Sequence, residues 1–512
     1  MVKTTINRVS NYLRYTLYIL CIIELLLFPS TENFYGCLIF IINLEITSKI
    51  VLKYQYIRKN YISTFILLSY TFCFSFMPLA VTLINNVPLT YKFVVPFQTF
   101  SHHFIFQISI IISFIISQKI GQSKNIIRDF LAKYTNYFRP ITPQISFMLG
   151  SIGIIALIFS ALINIGGLSK LANGLIFLVA APLALTYNNH KIKEHSNYKR
   201  KILIFAVIVF IIGIASNSRS TMLFLILIAF LIYITQKFIY NEKFNISTKK
   251  IILLFFSVII IIGPIADIAS AMVLIRHQRT EISPKELFKR TLEILKDKET
   301  LYKMQKAYEE SKINYLQNNT DGWSEEYTGN IFLDRFCNLR VSDATLYYAN
   351  QIGFNNPTMK EKFRNNLLSI LPSPALKILG INPNIKECIK YSSGDLLYSL
   401  ATKNKYALGG YKVCGYTGIG LVTFGYLFYP ITILAFIFIF YILDGLILPI
   451  RHTTIVPPCT LIQLYTFFYL LNNGDGISRN INYIMRGLTQ TIILYLLFFW
   501  LGKQIYGNYF KK

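Results

Sequence analysis

Charged residues are scarce in this 512-residue chain, and acidic residues are the scarcest of them. Only 15% of the residues are Asp, Glu, Lys or Arg, compared with about a quarter in soluble proteins. Hydrophobic residues reach 54%, and the mean hydropathy is +0.47. This composition excludes an ordinary soluble domain and indicates a membrane protein.

The sequence contains several long apolar runs that hold few charged residues. The run 251–275 exceeds the roughly 20 residues that cross a hydrocarbon layer of about 30 Å. Such runs are predicted to be helices, because backbone polar groups in lipid need internal partners and the runs lack the alternation of barrel strands. We predict an all-α polytopic membrane protein with about twelve transmembrane helices, near residues 12–28, 33–52, 62–85, 99–118, 145–166, 171–187, 201–216, 219–236, 250–275, 416–443, 449–471 and 484–502.

Basic residues outnumber acidic ones by 51 to 24, which gives a net charge of +27. They cluster in alternate connections between the apolar runs, whereas the connections 29–32, 166–170 and 216–218 are nearly uncharged. The positive-inside rule explains this placement better than a nucleic-acid partner does. Both termini are therefore predicted to be cytoplasmic. The long segment 276–410, which follows the ninth predicted helix, is predicted to be extracytoplasmic.

The segment 276–410 is predicted to be a folded helical cap. Ser283, Pro284 and Glu286 form a helix start, with Ser as the N-cap and Glu closing a capping box. Helices are expected from there to about residue 317, then over 331–352 and 357–371, before a loop that contains Pro372, Pro374 and Pro383. The expected organisation is helices one to nine in 1–275, the cap in 276–410, and helices ten to twelve in 411–512.

Cysteine and histidine are also few, with seven and six residues. No Cys-x-x-Cys motif or Cys/His cluster occurs, so neither a metal site nor a cofactor is predicted. Cys337, Cys388 and Cys414 fall in or just after the predicted cap, where an oxidising compartment would allow one disulfide among them. His102 and His103, at the outer end of the fourth predicted helix, are interpreted as hydrogen-bonding side chains rather than metal ligands.

Arginines at the outer ends of predicted helices are candidate ligands for phosphate. Arg219 lies in the turn between the seventh and eighth helices, and Arg276, His277 and Arg279 follow the ninth helix at the same predicted depth. Guanidinium groups bind phosphate oxygens bidentately and stay charged, which would suit a diphosphate-linked lipid. The alternative is that these arginines reach lipid headgroups without a specific ligand. Asp267, in the outer half of the ninth helix, is interpreted as a base or as the partner of a nearby cation.

Further cations occur in the cap and in the last outer loop. Arg335 and Arg340, in the second cap helix, either form internal ion pairs with nearby aspartates or bind phosphate or an acceptor sugar. Arg479 is a further candidate for the same site. Asp475 is a candidate general base, and an Asp-Gly turn is the alternative interpretation.

Three stretches carry a family resemblance. In 213–220 a Ser-Arg element opens an apolar helix, 371–374 is a proline-bearing stretch in the cap, and 409–426 is a glycine-rich entry to the next helix. With the topology, they resemble the O-antigen and oligosaccharide repeat-unit polymerases (Wzy-like) and, more distantly, the O-antigen ligases. The absence of histidine from the rest of the cap after His277 argues against a ligase. The Arg-rich repeats of some polymerases are not evident, and Ser373 follows proline where those enzymes have arginine.

The resemblance implies a bacterial inner-membrane enzyme that transfers a growing glycan from undecaprenyl diphosphate onto a new lipid-linked repeat unit at the periplasmic face. Its expected partners are undecaprenyl-diphosphate-linked oligosaccharide, membrane lipid, a chain-length regulator and a flippase, with no metal or cofactor required. Residue roles follow: catalytic Arg219, Arg276, Arg279 and Asp267; substrate-binding Arg335, Arg340, Arg479 and His277.

Other classes remain open. A lipid-linked oligosaccharide flippase or transporter would more often show inverted repeats and short outer loops. A glycosyltransferase that uses a polyprenyl-phosphate sugar would share the cap, but such enzymes usually place an acidic pair in the first outer loop, where this chain has only Glu32. A non-enzymatic membrane scaffold is the remaining alternative.

Overall fold

The computed structural model describes residues 3–121, 124–162, 172–187, 196–216, 218–242, 264, 267–268, 271–272, 275, 284–297, 299, 303, 338–381, 391–450, 453–472 and 474–506. Within these residues, seven helices are long and apolar enough to cross a membrane: Ile6–Leu27, Tyr61–Ile84, Pro96–Gly121, Pro143–Ser160, Thr221–Ile239, Tyr416–Asp444 and Ile477–Tyr506. A shorter apolar helix spans Ala172–Thr186. The fold is that of an all-α polytopic membrane protein.

The helices of the first half, in chain order, are α1 (Lys3–Leu27), α2 (Thr31–Ile50), α3 (Tyr54–Lys59), α4 (Tyr61–Thr71), a π-helical turn (Phe72–Phe76), α5 (Met77–Ile84), α6 (Pro96–Gly121), α7 (Ile126–Tyr134), α8 (Pro143–Leu162), a 3₁₀ helix (Ile176–Thr186), α9 (Ser196–Ala215) and α10 (Arg219–Ile239).

The second half continues with α11 (Pro284–Lys296), α12 (Asn338–Ile352), α13 (Pro357–Leu368), α14 (Ser373–Ile378), α15 (Ser393–Thr402), a 3₁₀ turn (Lys405–Ala407), α16 (Tyr416–Phe424), a 3₁₀ turn (Gly425–Leu427), α17 (Phe428–Asp444), strands β1 (Leu448–Ile450) and β2 (Thr453–Ile455), α18 (Pro458–Ile462), α19 (Leu464–Phe468), α20 (Ile477–Asn482), a π-helical stretch (Tyr483–Leu488) and α21 (Thr489–Tyr506).

Each of the seven candidate spans overlaps one predicted transmembrane helix. The helices predicted at 33–52 and 201–216 are present as α2 and α9, but charged residues lie within both, and neither is among the seven. The helix predicted at 250–275 lies largely outside the described residues. The total of twelve and the extracytoplasmic position of 276–410 therefore stay predictions.

The prediction of one continuous helix over 449–471 is wrong. The chain forms β1 and β2 there, followed by the short helices α18 and α19. Pro457 adopts an extended conformation (φ −69°, ψ 156°) and Pro458 begins α18. Proline removes a backbone donor and disfavours helix in the residue before it, so an apolar run that contains consecutive prolines does not form one continuous helix.

The cap helices are partly as predicted. The first begins at Pro284 as expected but ends at Lys296 rather than near residue 317. The third begins at Pro357 and ends at Leu368. The expected proline loop instead contains α14, which has proline in its first turn, where the missing N–H costs nothing. A further helix, α15, was not predicted.

The described residues group into two compact units. The first combines Met1–Phe130, Trp323–Pro449 and Thr466–Thr489. In it α6 packs along α17, and the rings of Phe106 and Phe428 stack with centroids 5.8 Å apart. Buried aromatic rings therefore form much of its core.

The second unit combines Leu131–Gly322, Ile450–Tyr465 and Gln490–Lys512. Its helix α8 packs against the 3₁₀ helix Ile176–Thr186. At Gly153 an added Cβ would lie 2.2 Å from the backbone nitrogen of Val179. This close approach of two backbones is possible only with glycine, as is common in membrane helix pairs.

Candidate functional site

The turn between α9 and α10 is tightly built. An added Cβ at Gly213 would lie 2.6 Å from the backbone nitrogen of Met222, so glycine is needed where the two helices meet. Ser218 is the N-cap of α10, and its side chain accepts a hydrogen bond from the Thr221 N–H. This capping makes Arg219 the first residue of α10, which fixes its backbone at the hairpin end. The Arg219 side chain lies outside the described parts.

An apolar cluster joins this hairpin end to two other elements of the second unit. Ile214, Met222 and Met272 form its buried centre. Ile268, from the ninth predicted helix, and Phe288, from α11, pack against that centre. The hairpin end, the segment around residues 268–272 and the first cap helix are therefore in contact.

The predicted phosphate-binding residues lie on these elements. Asp267 has a helical backbone, is partly buried and directly precedes Ile268. Arg276, His277 and Arg279 lie outside the described residues, between Ile275 and the start of α11. The structure thus brings together the elements that flank them, while the convergence of their side chains with Arg219 stays a prediction.

Arg340 occupies a buried position in the first unit. It is 8% exposed, and its Nη1 lies 3.4 Å from Oδ2 of Asp343. Asp343 in turn accepts hydrogen bonds from the N–H groups of Val94 (2.7 Å) and Val95 (3.0 Å) at the start of α6. This geometry supports the ion-pair interpretation of Arg340 over substrate binding. Arg335 lies outside the described residues.

Arg479 remains accessible on the first unit. Its side chain is 57% exposed and forms an ion pair with Asp475 at 3.1 Å. The other carboxylate oxygen of Asp475 accepts the Ser393 N–H at 3.1 Å. Both oxygens of Asp475 therefore have structural partners, which favours its turn interpretation over a general base. The Arg479 guanidinium is exposed enough for an anion to bind it from solvent.

Two further polar residues near Arg479 were not singled out from the sequence. Asn482 donates from Nδ2 to the Asn366 carbonyl at 2.9 Å, and Arg486 donates from Nη1 to the Ser369 carbonyl at 3.5 Å. Both bonds reach the carboxyl-terminal end of α13, where carbonyls lack helical partners. Arg486 lies inside the predicted span 484–502, and an arginine within a span is itself a signal for a special role.

His102 and His103, which both lie on α6, form hydrogen bonds to tyrosines of other helices. The Nδ1 atom of His102 lies 2.5 Å from the Tyr429 hydroxyl, and that of His103 lies 2.8 Å from the Tyr70 hydroxyl. The hydrogen-bonding interpretation is confirmed, although both side chains are buried rather than interfacial. Among the described residues, no group of three His, Cys, Asp or Glu side chains is placed to hold a metal ion.

The glycine-rich stretch before α16 has a structural role. Asp395, which is fully buried, accepts hydrogen bonds from the N–H groups of Ser392, Gly409, Tyr411 and Lys412 at 2.8–3.2 Å. Gly409 has a φ of +95°, a conformation that favours glycine. The stretch therefore wraps its backbone around one carboxylate.

Cys414 is a buried free cysteine. Its thiol donates to the Gly474 carbonyl at 2.8 Å. Burial raises the pKa of this thiol, and the nearby charge of Asp475 adds to the effect. The structure therefore gives Cys414 no part in the predicted disulfide. Cys337 and Cys388 lie outside the described residues.

The fold and the hairpin end together define a helical polytopic membrane protein with an arginine at the first position of an apolar helix. Comparison with protein-family models, with curated proteins and with solved structures finds no match to this chain.

Proposed function

We propose that this protein polymerises undecaprenyl-diphosphate-linked oligosaccharide repeat units at the periplasmic face of the bacterial inner membrane. The product would be O-antigen, capsular polysaccharide or exopolysaccharide. The observation that carries the proposal is the apolar cluster of Ile214, Met222 and Met272. It joins the helix start at Arg219 to the segment that precedes Arg276 and to the first cap helix.

The chemistry of such a transfer needs charge stabilisation more than it needs a cofactor. A hydroxyl oxygen of the acceptor sugar forms a bond to the anomeric carbon of the growing glycan, and the bond from that carbon to the diphosphate oxygen breaks. The electron pair leaves with the diphosphate, and the hydroxyl proton passes to a base. Guanidinium groups stabilise the negative charge that develops on the leaving group.

The residues of the second unit are assigned to these steps as follows. Arg219, Arg276 and Arg279 are proposed to bind the departing diphosphate. Asp267, on the segment that packs at the same hairpin end, is proposed to accept the proton. His277 is proposed to contact the substrate.

The first unit is proposed to contribute to substrate binding through Arg479. Its guanidinium is 57% exposed and is therefore accessible to a phosphate or an acidic sugar from solvent. Arg335 keeps the same proposed role. Arg340 is no longer proposed to bind substrate, because its buried ion pair with Asp343 gives it a structural role.

The test is the polysaccharide of cells that carry Arg219→Ala as their sole copy. Loss of one charge-stabilising group lowers the rate of such reactions by about 10²–10³, so long-chain polymer should disappear from gels while single repeat units remain. The matched control is Arg200→Ala, which removes an exposed arginine near the opposite end of the same hairpin and should leave the polymer unchanged.

Two results would contradict the proposal. One is normal long-chain polymer in Arg219→Ala cells at normal protein levels. The other is a cytoplasmic location of segment 276–410, measured by reporter fusions, because the lipid-linked substrate would then lie on the opposite side of the membrane.

A further inference from the structure

The connection 85–95, between α5 and α6, is held by polar side chains from other elements of the first unit. Glu24, in the last turn of α1, accepts a hydrogen bond from the Leu89 N–H at 2.6 Å. Asn33, near the start of α2, accepts bonds from the Thr90 N–H at 3.2 Å and from the Thr90 hydroxyl at 2.8 Å. The Glu24 carboxyl is therefore part of the contact that positions this connection.

The carboxyl group of Glu24 is buried without a cationic partner in the described part of the chain, unlike that of Glu45. Glu24 is 0% exposed, and its Oε2 atom has no hydrogen-bond partner among the described residues. No Lys or Arg of the described ranges forms an ion pair with it. Glu45, on the neighbouring helix α2, is instead paired with Arg14 at 3.0 Å and Lys49 at 3.2 Å.

The groups around Glu24 offer no compensating charge. The helices that pack most closely on α1 are α2 and α5. On α2 the titratable neighbour is the Cys37 thiol, with the Cys21 thiol of α1 donating to the Cys37 carbonyl. The α5 sequence contains no titratable residue. The connection 85–95 carries Tyr91 and Lys92, and the Lys92 Nζ lies over the Tyr91 ring, 5.2 Å from its centroid.

A buried carboxylate without a counter-charge is far more costly than a neutral carboxylic acid, because only the ion loses a large hydration energy. A metal cation would need several oxygen ligands, and one Glu24 oxygen already accepts the Leu89 N–H. We infer that Glu24 is a proton-binding site within the membrane-spanning part of the protein, and that it carries its proton at neutral pH.

Infrared difference spectroscopy tests this on the purified full-length protein. Glu24→Gln keeps a side-chain oxygen that accepts the Leu89 N–H, so this variant should fold. At neutral pH the difference between wild type and Glu24→Gln should show loss of a carboxylic-acid carbonyl band. Glu45→Gln, the matched control, should show loss of an ionised carboxylate band.

Hydrophobic carbodiimide gives an independent measurement, because it adds only to protonated carboxyl groups. The acid oxygen bonds to the carbodiimide carbon and the acid proton moves to a carbodiimide nitrogen. Mass spectrometry of the wild type should find the adduct on Glu24 and not on Glu45, and Glu24→Gln should lose it.

Two results would overturn the inference. One is a carboxylate band, instead of an acid band, lost in Glu24→Gln at neutral pH. The other is labelling of Glu24 that sodium ions suppress at constant ionic strength, because that would identify a metal cation as the ligand.

Discussion

Asp343→Ala is expected to destabilise the first unit more strongly than most single substitutions do. Asp343 is fully buried and accepts hydrogen bonds from Val94, Val95 and Thr99 at the start of α6, besides its ion pair with Arg340. Alanine removes this acceptor from all four groups at once. Removing one member of a buried charged pair costs about 3–5 kcal/mol, and we expect the free energy of unfolding to fall by that amount.

Equilibrium unfolding of the purified protein in mixed micelles, followed by circular dichroism, measures this loss. Asp343→Asn keeps one carbonyl acceptor and should lose about 1–3 kcal/mol. The double variant Arg340→Ala/Asp343→Ala should be less destabilised than the sum of the single variants, because contacting charged residues couple by about 0.5–3 kcal/mol.

Glu361→Ala, which removes an exposed carboxylate from α13 of the same unit, is the matched control. Its effect should stay within about 0.5 kcal/mol, as for most surface substitutions. If Asp343→Ala fell within that same range, the Asp343 contacts would not hold the start of α6, and the reasoning would be refuted.

Three further predictions concern other positions. Burial raises the pKa of the Cys414 thiol, so this thiol should resist iodoacetamide at mildly alkaline pH in the folded protein and react after unfolding. Mass spectrometry measures the alkylation, and rapid alkylation of the folded protein would contradict the prediction. Gly213→Leu should disrupt the α9–α10 hairpin and lower the melting temperature. Gly410→Ala, whose added Cβ meets nothing closer than 3.6 Å, should lower the melting temperature less. Equal decreases would argue against the tight turn. Arg479→Ala breaks an exposed ion pair with Asp475 that is worth about 0–1 kcal/mol, so it should reduce polymer length in cells without lowering stability; unchanged polymer would remove Arg479 from substrate binding.

The transmembrane helices were the most predictable part of the fold. A long apolar run has few alternatives in lipid, so length and composition sufficed for spans such as Tyr61–Ile84 and Pro96–Gly121. The same reasoning failed at 449–471, because hydropathy averages over Pro457 and Pro458 while the backbone responds to each proline individually. The backbone restrictions of the two prolines therefore determine the structure of this segment more than its apolar composition does.

The candidate site and the buried polar contacts were less predictable, because most of these contacts join residues that are distant in sequence. The spacing of Arg340 and Asp343 suggested an ion pair, and the structure has one. The four N–H groups around Asp395 come largely from residues 14–17 positions later, which no local pattern indicates. Glu24 lay inside the predicted span 12–28, and the rule that ionisable residues within membranes are special would have identified it.

The bond between Asp343 and the start of α6 joins residues 249 positions apart. During synthesis, α6 is made long before α12. The N–H groups of Val94 and Val95 at its start therefore have no Asp343 acceptor until α12 has been made. The last stretch of the first unit, Thr466–Thr489, emerges later still. Packing of this unit is therefore complete only after residue 489 has been made, and a nascent chain arrested before residue 338 would lack the Asp343 acceptor for those amide groups.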